Sequence, residues 1–188
     1  MLNTTLIYIE KDEKYLMLHR VKKENDINHD KWIGVGGKCE ENESPEECAV
    51  REAREETGLT LFDPEYRGVV TFVCDRYEGE YMHLFTCSRF SGEIIECDEG
   101  TLEWVDKDKV LSLPTWEGDR IFLQKIARPG PFFSLKLVYE GDTLVAQKCR
   151  EYGLEKKKES IDFCMGRQYN IRVACEDLTA ARTISSVG

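Results

Sequence analysis

The chain reads as an α+β fold, several β-type runs interrupted by two or three helices. Three observations carry this. Short runs rich in Val, Ile, Leu, Phe and Tyr recur along residues 4–148, each about the length of an ordinary strand. One segment, residues 44–58, carries start and stop signals of a helix at both ends. Two further polar-apolar segments with helical spacing fall between later strands, the arrangement of a layered α+β domain.

Taken in order, "TTLIYIE" and "KYLMLHR" are strands joined by "KDE", a hairpin. "VKKENDINHD" is a polar loop, and "KWIGVGGK" a short strand that ends in a glycine pair. The helix follows, from Pro45 to Thr57. Ser44 is its N-cap, Pro45 its first residue, and Glu47 completes the S-x-x-E capping box. Gly58 is the left-handed stop. "YRGVVTFVC" and "YMHLFTCSRF" are strands flanking the loop "DRYEGE". "TLEWVD" is a strand, "KDKVLSL" a short helix and "TWEGDRIFLQKIA" a capped helix broken by Arg-Pro-Gly-Pro. "FFSLKLVYEGDTLVAQK" is a final hairpin turning at Gly-Asp.

The formal net charge of −10 belongs wholly to residues 1–150, with 20 basic and 30 acidic residues, because residues 151–188 hold six of each. The split predicts a domain over residues 1–150 and a C-terminal extension without a motif. Within the extension "LEKKKES" suits a helix and "YNIRVAC" a strand. No apolar run reaches the roughly 20 residues of a membrane span, and the N-terminus lacks the pattern of a signal peptide. A cytoplasmic protein is expected, with no membrane partner. The acidic balance argues against duplex nucleic acid. The eight cysteines are scattered without a C-x-x-C, and the three histidines are equally scattered. Reduced core thiols are expected rather than disulfides or a zinc site.

The stretch "REAREETG" contradicts ordinary helix electrostatics. Glu52, Glu55 and Glu56 fall in the last turns of the helix, where the negative end of the dipole disfavours acids. At 100° per residue, Glu56 lies about 40° to one side of Glu52 and Glu55 about 60° to the other, so the three share a patch. Arg51 sits four residues from both Glu47 and Glu55 and can brace its flank. A solvated acidic face is the plain alternative. Gly36, Gly37 and Lys38 just upstream, and the preference of hard cations such as Mg2+ for oxygen clusters and phosphates, favour a metal-phosphate site.

At this point "GKCEENESPEECAVREAREETGL" resembles the Nudix box, with Gly37, Glu43, Arg51, Glu52, Glu55, Glu56, Gly58 and Leu59 in register and Ala53 where a larger aliphatic is usual. "LMLHR", "KWIGVGGK", "CDEGTLEWV", "LPTWEGD" and "PFFSLKLVYEGDTL" extend the similarity to the MutT-type, MutX-like 8-oxo-dGTP diphosphatases over about residues 3–147. The resemblance implies a Nudix fold, mixed β-sheets between helices. It implies Mg2+, or Mn2+, held by Glu52, Glu55 and Glu56 with the Gly37 carbonyl, and Glu43 and Arg51 orienting those ligands. Glu99 aligns with an acid that contacts metal or activates water, with Asp98 its alternative; Glu55 and Glu56 complete the catalytic set. Arg20 and Lys38 align with cations that meet the phosphates.

Trp116 and Asp119 align with a segment that in mammalian relatives binds the oxidised purine, and Phe72 is a candidate pocket wall. Gly118 replaces one of two neighbouring acids expected there, and Ile33 replaces an expected Asn, so the purine code differs. The implied reaction takes 8-oxo-dGTP to 8-oxo-dGMP and pyrophosphate, for nucleotide-pool sanitation. Alternatives are a broad (d)NTPase, a dinucleoside polyphosphate hydrolase, for which Tyr77 is suggestive, an ADP-ribose hydrolase, whose usual proline is absent from "VTFVCDRYEGE", or a nucleotide sensor without catalysis.

Overall fold

The computed structural model describes residues 1–22 and 26–153. The helix and strand expected within the C-terminal extension lie outside them. Strands β1 (Leu2–Lys11) and β2 (Lys14–His19) form the predicted hairpin, closed by Asp12 and Glu13 at positive φ. β3 is only Trp32–Ile33, and α1 spans Pro45–Thr57. β4 (Thr60–Leu61), β5 (Glu65–Cys74), β6 (Glu80–Cys87), β7 (Phe90–Ser91) and β8 (Thr101–Asp106) follow. Then come α2 (Lys107–Val110), α3 (Asp119–Ile126), β9 (Phe133–Glu140) and β10 (Thr143–Glu151).

The main sheet runs β10-β9-β5-β6-β1-β2-β3, with β8 also paired to β2. It is mixed. The hairpin neighbours are antiparallel, but β1 pairs with β6 and β5 with β9 in parallel. The mixed sheet implied by the resemblance is thus present, its two parallel pairings being the long-range ones. β4 and β7 make a separate small ribbon.

Alternation along β1 explains the layers. Leu6 and Tyr8 enter a core with Phe122, Leu123 and Ile126 of α3, while Ile7 and Ile9 enter a second core with Ala49 and Ala53 of α1. A central strand covered on both sides therefore loses the polar-out pattern. Ala53, the small residue in the box, is fully buried and lets α1 lie close to the sheet.

The ends of α1 are as predicted. The Glu47 N–H donates to Ser44 Oγ at 3.2 Å, and the Ser44 N–H to Glu47 Oε2 at 2.9 Å. Gly58 sits at φ 76° and its N–H donates to Arg54 O. The later helices are shorter than expected. α2 has one turn, and α3 begins at Asp119, with the N–H of its N-cap Gly118 donating to Tyr139 Oη at 2.8 Å. Cys48, Cys87 and Cys97 are buried, Cys39 and Cys74 half-buried and Cys149 exposed on β10, all six of them free, while Cys164 and Cys175 lie outside the described residues. Among the described residues no helix is long and apolar enough to cross a membrane.

Candidate active site

The site is built where residues 34–39 cross β1 and meet α1. Ile7 and Val35 exchange N–H···O bonds of 2.7 and 3.0 Å, and the Cys39 N–H donates to Asn3 O at 3.0 Å. The glycines allow this approach. A Cβ at Gly36 would lie 2.1 Å from Thr5 O, and one at Gly37 would lie 2.5 Å from the Glu52 carboxylate. The expected strand is thus two residues long and continues only as isolated bridges at Val35 and Lys38.

Arg51 organises the acids above this crossing. Its Nε and Nη2 grip Glu43 Oε1 and Oε2 at 2.8 and 2.9 Å, a two-point guanidinium–carboxylate pair. Nη1 reaches Glu52 at 2.8 Å and Glu55 at 3.1 Å, and Nη2 also reaches Lys38 O at 3.2 Å. The Arg51 bond holds the Glu43 carboxyl down at about 2, helped by the Glu40 N–H. Glu56 turns the other way and accepts the Gly36 N–H at 3.0 Å. Burial pushes its carboxyl up to about 8, with Glu99 and Glu52 adding like charge.

The single acidic patch is therefore divided: Glu52 and Glu55 share Arg51, and Glu56 faces the glycine crossing. Among the described residues no three His, Cys, Asp or Glu side chains converge as they stand to hold an ion. Arg20, expected at the phosphates, pairs with Glu99 and Asp26. The Gly37 carbonyl, expected to face a metal, accepts the Thr5 N–H at 2.8 Å. That bond belongs to the β1 crossing and takes one of the carbonyl's two lone pairs. The Gly36 carbonyl takes no backbone bond among the described residues.

A cavity of about 220 Å3 opens beside the crossing. Arg20, Gly36, Gly37 and Lys38 line one part of it, and Phe72, Trp116 and Asp119 another, so these predicted residues share one space. Glu43, Arg51, Glu52, Glu55, Glu56 and Glu99 are outside its lining. Tyr77 is exposed and does not line it either. Trp116 is fixed on several sides. Its Nε1 donates to Asn28 Oδ1 at 2.8 Å, Lys31 Nζ stands 4.5 Å from its ring, and Phe72 and Tyr139 meet it edge-on at 6.4 and 5.3 Å. Asp119 is buried, and desolvation raises its carboxyl to about 7.

Gly118 has a packing reason: a Cβ there would lie 2.5 Å from Leu137 Cδ1 and 2.7 Å from Tyr139 Oη. Asn28, Lys31, Glu80 and Tyr139 were missed as site residues. Asn28 falls within the stretch read as a polar loop, Lys31 opens the stretch read as a short strand, and Glu80 reads as loop although it opens β6. Only the pattern of a polar residue at a strand end could have pointed to it.

Comparison with known proteins places the chain in a family. A NUDIX domain model matches residues 2–126. An uncharacterized Nudix hydrolase of Bacillus subtilis, YvcI, is 33% identical over 116 residues, 59% of this chain and 70% of that protein. An oxidized purine nucleoside triphosphate hydrolase of Danio rerio is 30% identical over 125 residues, 64% of this chain and 78% of that protein. The crystal structure of a MutT protein from Bacillus halodurans superposes with a TM-score of 0.71 at 27% identity, covering 79% of this chain and 97% of the other. The domain match spans more than half of the sequence and includes the whole of α1 with its Arg51-braced acids, so the chain belongs to the Nudix family, hydrolases of nucleoside diphosphate derivatives.

Proposed function

We propose that the chain is a divalent-metal-dependent pyrophosphohydrolase of oxidised purine nucleoside triphosphates, converting 8-oxo-dGTP to 8-oxo-dGMP and pyrophosphate. One observation carries this reading: the cavity joins an aromatic and carboxyl wall, Trp116 with Asp119, to the glycine crossing and Lys38. A base on the first and phosphates along the second fit one nucleotide. The neutral tendency of Asp119 supports it, because a protonated carboxyl donates as well as accepts.

The residues fit a hard cation. Glu52, Glu55 and Glu56 are all oxygen donors, and burial together with neighbouring carboxylates disfavours the charge on Glu56, a cost that a cation would reverse. When bound, Mg2+ or Mn2+ supplies charge neutralisation at the phosphoryl oxygens and acidifies water. Glu52, Glu55 and Glu56 would hold it, with the Gly36 carbonyl the better main-chain candidate than that of Gly37. Glu43 and Arg51 orient those acids, as outer partners of metal ligands do. Lys38 meets phosphate. Glu99 is the candidate for taking the proton from water, with Arg20 holding its carboxylate in position. The role is removal of oxidised nucleotides before they enter DNA, in the cytoplasm.

The test is product analysis on a panel of 8-oxo-dGTP, the four dNTPs, ADP-ribose and diadenosine polyphosphates, with Mg2+, with Mn2+ and with EDTA. Metal-dependent release of pyrophosphate and monophosphate, fastest from the oxidised purine, is expected. Fastest turnover of ADP-ribose or a dinucleotide would overturn the substrate assignment.

A further inference from the structure

Glu80 is out of place on its surface. It opens β6 opposite Phe72 of β5, and Phe72 in turn faces Leu137 of β9. Two residues on, Met82 lies opposite Val70 and beside Thr4 of β1. Side chains two apart on a strand share a face, so Glu80 stands in the row formed by Phe72, Met82 and Leu137, and all four line the same cavity. The other members of this face, Val70, Leu84 and Leu135, are buried apolar residues of the core behind it.

A carboxyl in such a wall is costly unless it is satisfied. Among the described residues Glu80 has one hydrogen-bond partner, Thr4 Oγ1, which donates to Oε2 at 2.8 Å. No salt bridge reaches it among those residues. One partner leaves half of the carboxyl unused. Asp119 lines the same cavity and lies within electrostatic reach of Glu80. Burial raises both carboxyls. A carboxylic acid presents a donor and an acceptor side by side, and so does the edge of a purine that carries N–H and C=O groups.

We propose that Glu80 is a specificity-determining residue, whose carboxyl hydrogen-bonds the edge of the substrate's purine in the cavity it shares with Asp119 and Trp116. This inference rests on the cavity being the base site of the proposed function. It goes further in giving base reading to a β6 residue that lies outside the Nudix box and outside the Trp116–Asp119 segment. Thr4 holds one oxygen and the base takes the other. A site with a buried polar group strongly rejects a ligand that leaves the group unpaired, so Glu80 adds to discrimination as well as to affinity.

The experiment measures binding of 8-oxo-dGMP by calorimetry, and kcat/KM for 8-oxo-dGTP and dGTP, in the wild type, Glu80→Leu, Glu80→Gln and Thr4→Val. Glu80→Leu is expected to weaken 8-oxo-dGMP binding by about tenfold or more, as loss of a buried hydrogen bond does, and to lower the 8-oxo-dGTP to dGTP preference. Glu80→Gln keeps a donor and an acceptor and is expected to retain binding within about threefold, well short of the loss expected for Glu80→Leu. Thr4→Val is expected to lose less than Glu80→Leu.

Three results would overturn the proposal: a Leu variant that binds like wild type, a Gln variant as weak as the Leu variant, or a Thr4→Val variant that reproduces the whole loss. Melting curves check that each variant folds. If Glu80→Leu does not, Glu80→Met makes the same comparison. A wild type that does not prefer the oxidised nucleotide would sink the base-site reading itself, and the wild-type assay alone reveals that.

Discussion

Asp119 offers a stability test that needs no substrate. Its carboxyl is buried at the N-terminus of α3 and pushed up to about 7, chiefly by desolvation, with Glu80 adding and the Trp116 backbone and Lys31 subtracting. In the unfolded chain an Asp titrates near 3.9, so the folded form binds the proton more tightly by about three pH units, worth roughly 4 kcal/mol. The sign follows from proton counting. Between about pH 4 and about pH 7 the folded state carries more protons than the unfolded state, so stability falls as pH rises through this window. Below it the contribution is fully present, and above it the contribution is lost.

Asp119→Asn keeps the shape and removes the proton. The stability difference between wild type and variant should therefore drift against the wild type by roughly 3 kcal/mol from about pH 5 to about pH 8. Urea denaturation at several pH values measures it, with the slope m checked for constancy. Parallel stability curves for the two proteins would refute the reasoning, since they would mean that Asp119 is ionised or solvated throughout.

Other perturbations probe the rest of the site. Glu56→Gln should cut kcat/KM by about a hundredfold to a thousandfold, as losing several kcal/mol of charge stabilisation does. It should not lower the melting temperature near neutral pH, because the amide copies the protonated form that burial favours; a cold-shifted melt would contradict this. Arg51→Ala strips Glu43 of both guanidinium bonds. It should cost about 2 kcal/mol by denaturation and about tenfold to a hundredfold in activity, the usual effect of losing a ligand-orienting partner. Ser44→Ala removes the N-cap of α1 and should cost about 1 kcal/mol, with kcat/KM unchanged at temperatures where the variant is folded.

What could be read from sequence was local. The capping box, Gly58 and the acids of α1 are fixed by spacings of three and four residues, and the two hairpins by their own turns. The parallel pairings of β1 with β6 and β5 with β9 depend on contacts more than sixty residues apart, for which no local pattern exists. The same limit shaped the site. The Thr5 N–H at the Gly37 carbonyl and the Glu99 carboxylate at Arg20 both arrive from distant segments that no local pattern brings there. Asn28, Glu80 and Tyr139 reach the cavity from three separate segments.

The central claim is that this Nudix site selects an oxidised purine. It is tested most directly by competition, with 8-oxo-dGTP and dGTP mixed at equal concentration in one reaction with Mg2+ and the disappearance of each followed by chromatography. The ratio of consumption rates equals the ratio of kcat/KM. 8-oxo-dGTP should vanish first, by about tenfold or more, the discrimination expected of one hydrogen bond made to one base and denied to the other. Equal consumption of the two, or faster loss of dGTP, would contradict it.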